Sequence, residues 1–182
     1  MAGVTPALAA PSGVRQLEPH VHGVGHLSFV ADGASLVVEI ETPLANLVGF
    51  EHAPANEAER QAYRDAVAWL SEPEQAVDLS RANCEIVGVD VSEPDLFGDD
   101  AEHDHDHADA SQGHDHEQAD HGHAELSVEY RFACADLPRL DRIRVGLFER
   151  FPGFQKIEAV YVGDRTYSGT LTPSDPALDV RR

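Results

Sequence analysis

Basic side chains are scarce in this chain of 182 residues: 13 lysines and arginines stand against 33 aspartates and glutamates, a formal net charge of −20 at pH 7. From Ser92 to His123 there are none, while eleven acidic residues fall in the same stretch. A field of that sign repels nucleic acid and anionic lipid and attracts cations, which excludes DNA or RNA as a partner. No run approaches the roughly 18 apolar residues that cross a bilayer as a helix, so membrane insertion of that kind is not expected. Sulfur is sparse too, with one methionine and two cysteines. So little methionine argues against Cu(I) trafficking, which prefers soft sulfur ligands. Without a CxxC pair there is neither a thiol redox motif nor a structural zinc knuckle. HExxH, GxSxG and a glycine-rich phosphate loop are also missing, and the chain is expected not to be an enzyme.

What the chain does contain is histidine, concentrated in one place. Asp99 to His123 holds seven of the eleven histidines: His103, His105, His107, His114, His116, His121 and His123. Almost nothing in that stretch is apolar, so it can build no core and is expected to be a long disordered loop. Imidazole nitrogen suits zinc, nickel and copper, while the interleaved aspartates lower the local potential and complete coordination shells. Seven histidines satisfy about two zinc ions at four ligands each. A flexible tract loses chain entropy when it wraps a metal, so its affinity should fall below that of a prebuilt site.

A second constellation lies near the N-terminus, His20-Val21-His22-Gly23-Val24-Gly25-His26. In an extended segment residues i and i+2 point to one side, so His20 and His22 face one metal and His26 follows. His52, in Phe50-Glu51-His52-Ala53-Pro54, becomes a further ligand if folding brings it beside His20 and His22. Glu51 next to it is the only hint of a hydrolytic zinc site, which needs a general base.

Along the chain, residues 1–19 lack periodicity. Thr5 to Ala10 has the small-residue character of a signal-peptide cleavage region, but the charged and apolar segments that should precede it are absent. This part is expected to be a disordered leader or the remnant of a truncated signal peptide. Asp32-Gly33 between two apolar-rich runs marks a hairpin. A loop is expected over Thr42–Pro54. Asn56 with Glu59 three residues on forms a capping box, and Tyr63, Val67 and Leu70 repeat at helical spacing until Pro73. Cys84 to Val91 and Ala124 to Cys134 have strand patterns, the second alternating Leu126, Val128, Tyr130 and Phe132. If the two pair antiparallel, Cys84 faces Cys134 and a disulfide clamps the base of the hairpin from which the His/Asp loop projects. An unbroken first strand would then put Gly88 and Asp90 on the face of Cys84. Strands are expected again at Arg142–Phe148, Lys156–Val162 and Arg165–Leu171, followed by an irregular tail. The expected fold class is α+β, a mainly antiparallel β-sheet with one principal helix at about 56–71. It forms a single domain over 20–175 with an inserted loop at 92–123 and a tail at 176–182.

Four segments carry a family resemblance. His20-Val21-His22-Gly23, the run PLANLVGFEHAP from Pro43 to Pro54, Leu96 to Asp100 leading into the His/Asp loop, and Leu147 to Gly153 resemble the ZrgA-like family of zinc-uptake accessory proteins. The likeness extends over nearly everything from His20 to Pro173. It implies a Gram-negative periplasmic protein with a cleaved signal peptide and a His-rich loop, associated with zinc supply to an ABC-type importer. Carried over by position, its metal-binding residues are His20, His22, His52 and the loop histidines; His26 lies where variation is expected. The function expected is therefore capture of Zn²⁺ in the periplasm and assistance in its delivery, with the importer's substrate-binding protein as partner. A nickel or copper buffering protein is the alternative, since Cu(II) binds nearly any such site above zinc. A metalloenzyme stands behind it.

Overall fold

The computed structural model of the chain describes residues 21–94 and 124–181. Among the described residues nine strands follow in chain order: Val24–Asp32 (β1), Ser35–Pro43 (β2), Val77–Asp78 (β3), Cys84–Ser92 (β4), Glu125–Cys134 (β5), Arg142–Val145 (β6), Lys156–Val162 (β7), Thr166–Leu171 (β8) and Ala177–Asp179 (β9). Four α-helices interrupt them: Leu44–Val48 (α1), Glu57–Leu70 (α2), Pro73–Ala76 (α3) and Leu147–Arg150 (α4).

β1 and β2 form a hairpin closed by Gly33 and Ala34, with Gly33 at φ +59. A two-residue hairpin turn needs that positive φ, which glycine adopts without steric cost. Leu27 and Phe29 of β1 and Leu36, Val38 and Ile40 of β2 all point inward and are buried. β5 continues the pattern with Leu126, Val128, Tyr130 and Phe132. The large sheet runs β4-β5-β2-β1-β7-β8, and a second sheet runs β3-β6-β9. Ile143 and Val145 of β6, Leu178 of β9 and Ala66 and Leu70 of α2 join the inner face of the large sheet in one apolar core. The Tyr130 hydroxyl reaches through that core and donates to the Leu70 carbonyl at the end of α2, 2.6 Å away. Burial pushes its phenol well above the ordinary tyrosine range.

This architecture corrects the expected fold class. The strands divide between two sheets, and the large one is mixed, because β1 and β7 pair in parallel from Val24↔Lys156 to Val30↔Val162. A helix does occupy Glu57–Leu70, with Asn56 Oδ1 accepting from Glu59 N at 3.0 Å, but it is one of four among the described residues. The other three are four or five residues long, too short to display a 3.6-residue apolar repeat. Such helices are held by packing rather than by propensity, and Leu44, Leu47, Ala76 and Leu147 supply it. The strand expected through Phe148 stops at Val145. Its successor Gly146 donates to the Ala76 carbonyl, and a Cβ at that glycine would sit 2.1 Å from the Gln75 carbonyl oxygen. The segment after Thr172 is less irregular than its prolines suggest, since Ala177–Asp179 pairs with Arg142–Arg144.

Cys84 and Cys134 are joined by a disulfide and face each other in the register of β4 and β5. Between Ile86 and Gly88 the register shifts by one residue, a β-bulge. One extra residue exchanges the two faces of a strand. Val89 and Val91 therefore take the inward face of Cys84 and Ile86, opposite Tyr130 and Val128, and Gly88 and Asp90 turn outward.

Candidate metal centre

Antiparallel pairing gathers several chain segments at one end of the large sheet. Pro43 at the end of β2 faces Glu125 at the start of β5, Ser92 at the end of β4 faces Ser127, and β1 begins beside them with His26 opposite Glu41. The stems of the His/Asp segment are therefore at the end of the sheet where the Val21–Gly23 turn enters it.

His22 sits on that turn. Val24 N donates back to Val21 O at 3.0 Å, and Gly23 takes φ +86. The Gly23 carbonyl accepts from Gln155 N at 2.8 Å and Lys156 N at 3.0 Å, while Gly23 N donates to Asn46 Oδ1 at 2.6 Å. So fixed, the turn holds His22 Nε2 2.9 Å from Glu51 Oε1. The imidazole is largely exposed and the carboxylate largely covered, with side-chain exposures of 63% and 19%.

Glu51 and His52 reach the site through α1. Gly49, at φ +87, ends that helix with its N–H on Ala45 O and sends the chain into Phe50-Glu51-His52. His52 Nδ1 lies 2.9 Å from Ala53 O, and its ring stacks on Phe50 with centroids 5.1 Å apart. A carbonyl oxygen only accepts, so Nδ1 of a neutral His52 carries the hydrogen and Nε2 keeps its lone pair for a ligand. Glu59 Oε2 approaches the same Nδ1 at 4.0 Å while accepting from Ala55 N at 2.7 Å.

The structure thus brings His22 and Glu51 together and turns His52 toward Ala53 and Glu59. Among the described residues no group of three or more histidines, cysteines and carboxylates stands ready to hold a metal. His26 occupies a different place, on the solvent face of the large sheet. It is flanked in register by Glu41 and Glu158 and lines a shallow cleft of about 390 Å³ with Ser28, Glu39 and Ser168. Glu158 is held below the usual carboxylate range, first by its bond to Lys156 and only weakly by His26. His20, and the loop residues His103, His105, His107, His114, His116, His121 and His123, lie outside the described residues.

The stems of that loop are nevertheless anchored at the site. Leu44 N, at the start of α1, donates to Ala124 O at 2.7 Å. The Tyr63 hydroxyl of α2 donates to Glu93 Oε2 at 2.6 Å. Burial, then the bond to Glu93 and its charge, hold the Tyr63 phenol well above the ordinary range.

Three participants escape sequence reasoning. Glu51 has significance there only as the neighbour of His52, because nothing local pairs it with a residue 29 positions earlier. Asn46 and Leu44 fall in a segment expected to be loop. The available signal is a lone amide between Leu44 and Leu47, in a stretch otherwise apolar enough to be buried.

A family model described as ZrgA family zinc uptake protein matches residues 19–180. No curated protein matches the chain.

Proposed function

Since the chain belongs to the ZrgA family of zinc uptake proteins, we propose that it binds Zn²⁺ in the periplasm and assists its delivery to the substrate-binding protein of an ABC-type zinc importer. The observation that carries this reading is the approach of His22 Nε2 to Glu51 Oε1, 2.9 Å, at the sheet end where the His/Asp segment leaves and returns. Zinc takes nitrogen and carboxylate oxygen in a tetrahedral shell, with nitrogen at about 2.0–2.1 Å. His22 and Glu51 supply one ligand of each kind, and His20 and His52 complete the set. The histidines of 99–123 collect ions more loosely and raise their concentration beside the fixed site. His26, on the sheet face, is a separate contact for cations.

Chemically, the metal-free pair is preorganised for exchange. Zinc bound at His22 Nε2 uses the lone pair of that nitrogen, so a neutral ring carries its single hydrogen on Nδ1 and an imidazolium must first give up a proton. The covered carboxylate costs little to orient, while the exposed imidazole is open to an arriving ion and to a receiving protein. The Cys84–Cys134 disulfide fits an oxidising compartment such as the periplasm.

Zinc titration calorimetry on three proteins tests the reading: the full chain, His22→Ala, and a variant in which all seven histidines of 99–123 are alanine. Two affinity classes are expected, with the tighter one lost in His22→Ala and retained in the sevenfold variant. A tight class that persists in His22→Ala and vanishes with the loop histidines overturns the fixed site.

A further inference from the structure

The helix α1 is five residues long, has no side-chain cap at Pro43, and yet buries an amide, Asn46, to 3% exposure. A buried polar group costs free energy unless it is bonded. Asn46 is bonded three times. Its Oδ1 accepts from Gly23 N at 2.6 Å, and its Nδ2 donates to Val24 O at 2.8 Å and Thr42 Oγ1 at 3.0 Å. None of these bonds serves the ends of α1. Two of the three go to the residues that immediately follow His22.

We infer that Asn46 is a positioning residue for zinc binding, the latch that sets where His22 stands relative to Glu51. The inference rests on the reading of His22 and Glu51 as zinc ligands. It comes from the route of the chain. Glu51 follows α1 by way of Gly49, and His22 belongs to a turn that approaches from elsewhere in the sequence. Asn46, on α1, grips that turn from both sides of the Gly23–Val24 peptide, so the two ligands share one frame. The frame has a rigid back, because the Asn46 carbonyl oxygen packs against Gly153, where a Cβ would meet it at 2.4 Å. Without the latch, Gly23 keeps its carbonyl bonds to Gln155 and Lys156 but loses the one that ties it to α1. His22 then samples a wider arc about Glu51, and each ligand must be recaptured when zinc binds. Partners that orient metal ligands in this way are worth about ten- to hundredfold in affinity.

Thr42→Val is the control, since it removes the Nδ2–Thr42 bond and the long hydroxyl bond to Pro43 O, 3.4 Å, and leaves both bonds to the turn. The full chain, Asn46→Ala, Thr42→Val, His22→Ala and His22→Ala/Asn46→Ala are titrated with Zn²⁺ at a temperature where all are folded. The imidazole nitrogen signals of His22 are recorded by NMR in the metal-free proteins that retain it. Asn46→Ala is expected to weaken the tight class about tenfold or more and to shift the His22 ring signal. Thr42→Val, although less stable than the parent, should leave both unchanged. The double variant should bind no more weakly than His22→Ala alone. Equal effects of Asn46→Ala and Thr42→Val, or an unmoved His22 signal in Asn46→Ala, overturn the inference. If His22→Ala keeps the tight class, the ligand assignment fails, and the metal-free His22 signal still decides whether Asn46 positions that ring. Asn46→Ser, which cannot span Gly23 and Val24, takes the place of Asn46→Ala should the latter not fold.

Discussion

Tyr63 of α2 and Glu93, just past the end of β4, are joined by a hydrogen bond of 2.6 Å across 30 residues of sequence. It ties one stem of the His/Asp segment to the helix whose first turn carries Glu59, the neighbour of His52. The bond between Leu44 N and Ala124 O ties the other stem to α1.

Tyr63→Phe is expected to cost about 1 kcal/mol, the net worth of one intramolecular hydrogen bond. Urea denaturation measures it, and faster hydrogen exchange at Ser92 and Glu93 locates it. The pH dependence has a definite sign. A phenol held above its ordinary range contributes stability that is fully present below that range and is lost only as pH climbs through its folded pKa. From pH 6 to 9 the deficit of Tyr63→Phe should therefore stay constant on the tyrosine's account.

The disulfide between Cys84 and Cys134 closes a loop of 50 residues in sequence separation. Chain entropy assigns such a closure on the order of 4 kcal/mol. Reduction by dithiothreitol, or Cys84→Ala with Cys134→Ala, should lower unfolding stability by about 2–5 kcal/mol. The zinc affinity of the folded fraction should survive, since the bridge lies at the other end of β4 and β5 from His22.

Gly153→Ala tests whether the backing of α1 matters. Its Cβ would lie 2.4 Å from Asn46 O and 2.8 Å from Asn46 Cα, so backbone must move. A loss of more than about 2 kcal/mol is expected from forced strain at such a contact. Thermal melting reads that loss, and calorimetry should show weaker zinc binding at temperatures where the variant is still folded.

Imidazole must be neutral to ligate a metal, so zinc affinity should fall steeply below about pH 6. Calorimetry in two buffers of different ionisation enthalpy should also reveal more proton release on binding at about pH 6 than at about pH 8, since imidazolium must lose a proton to ligate and neutral imidazole need not. Unchanged affinity at pH 5 would show that histidine does not supply the ligands.

Sequence reasoning reached the parts of this protein that rest on local chemistry. The β1–β2 hairpin follows from Gly33, the start of α2 from Asn56 and Glu59, and the inward row of β5 from strict alternation. The disulfide follows from two cysteines at the far ends of the two strands that flank one insertion. The appetite for divalent metal is written in composition alone, because a segment of histidine and aspartate has no apolar surface to bury. The family, too, was legible in a few short motifs.

What only the tertiary structure decided depends on groups far apart in the chain. Helices of four or five residues carry no period and exist because Leu44, Ala76 and Leu147 find a core. The parallel pairing of β1 with β7 has no local signature either. The bulge at Val87 reverses the faces of β4 by a single inserted residue, which an apolar–polar pattern does not announce. At the site, sequence named His20, His22 and His52 as ligands together. The fold adds a carboxylate, Glu51, beside His22 and stacks the ring of His52 on Phe50. Asn46, bonded to Gly23, Val24 and Thr42, ties the turn that carries His22 to the helix that leads into Glu51. Composition gives this chain a field that attracts cations; the approach of His22 to Glu51 is a matter of long-range packing.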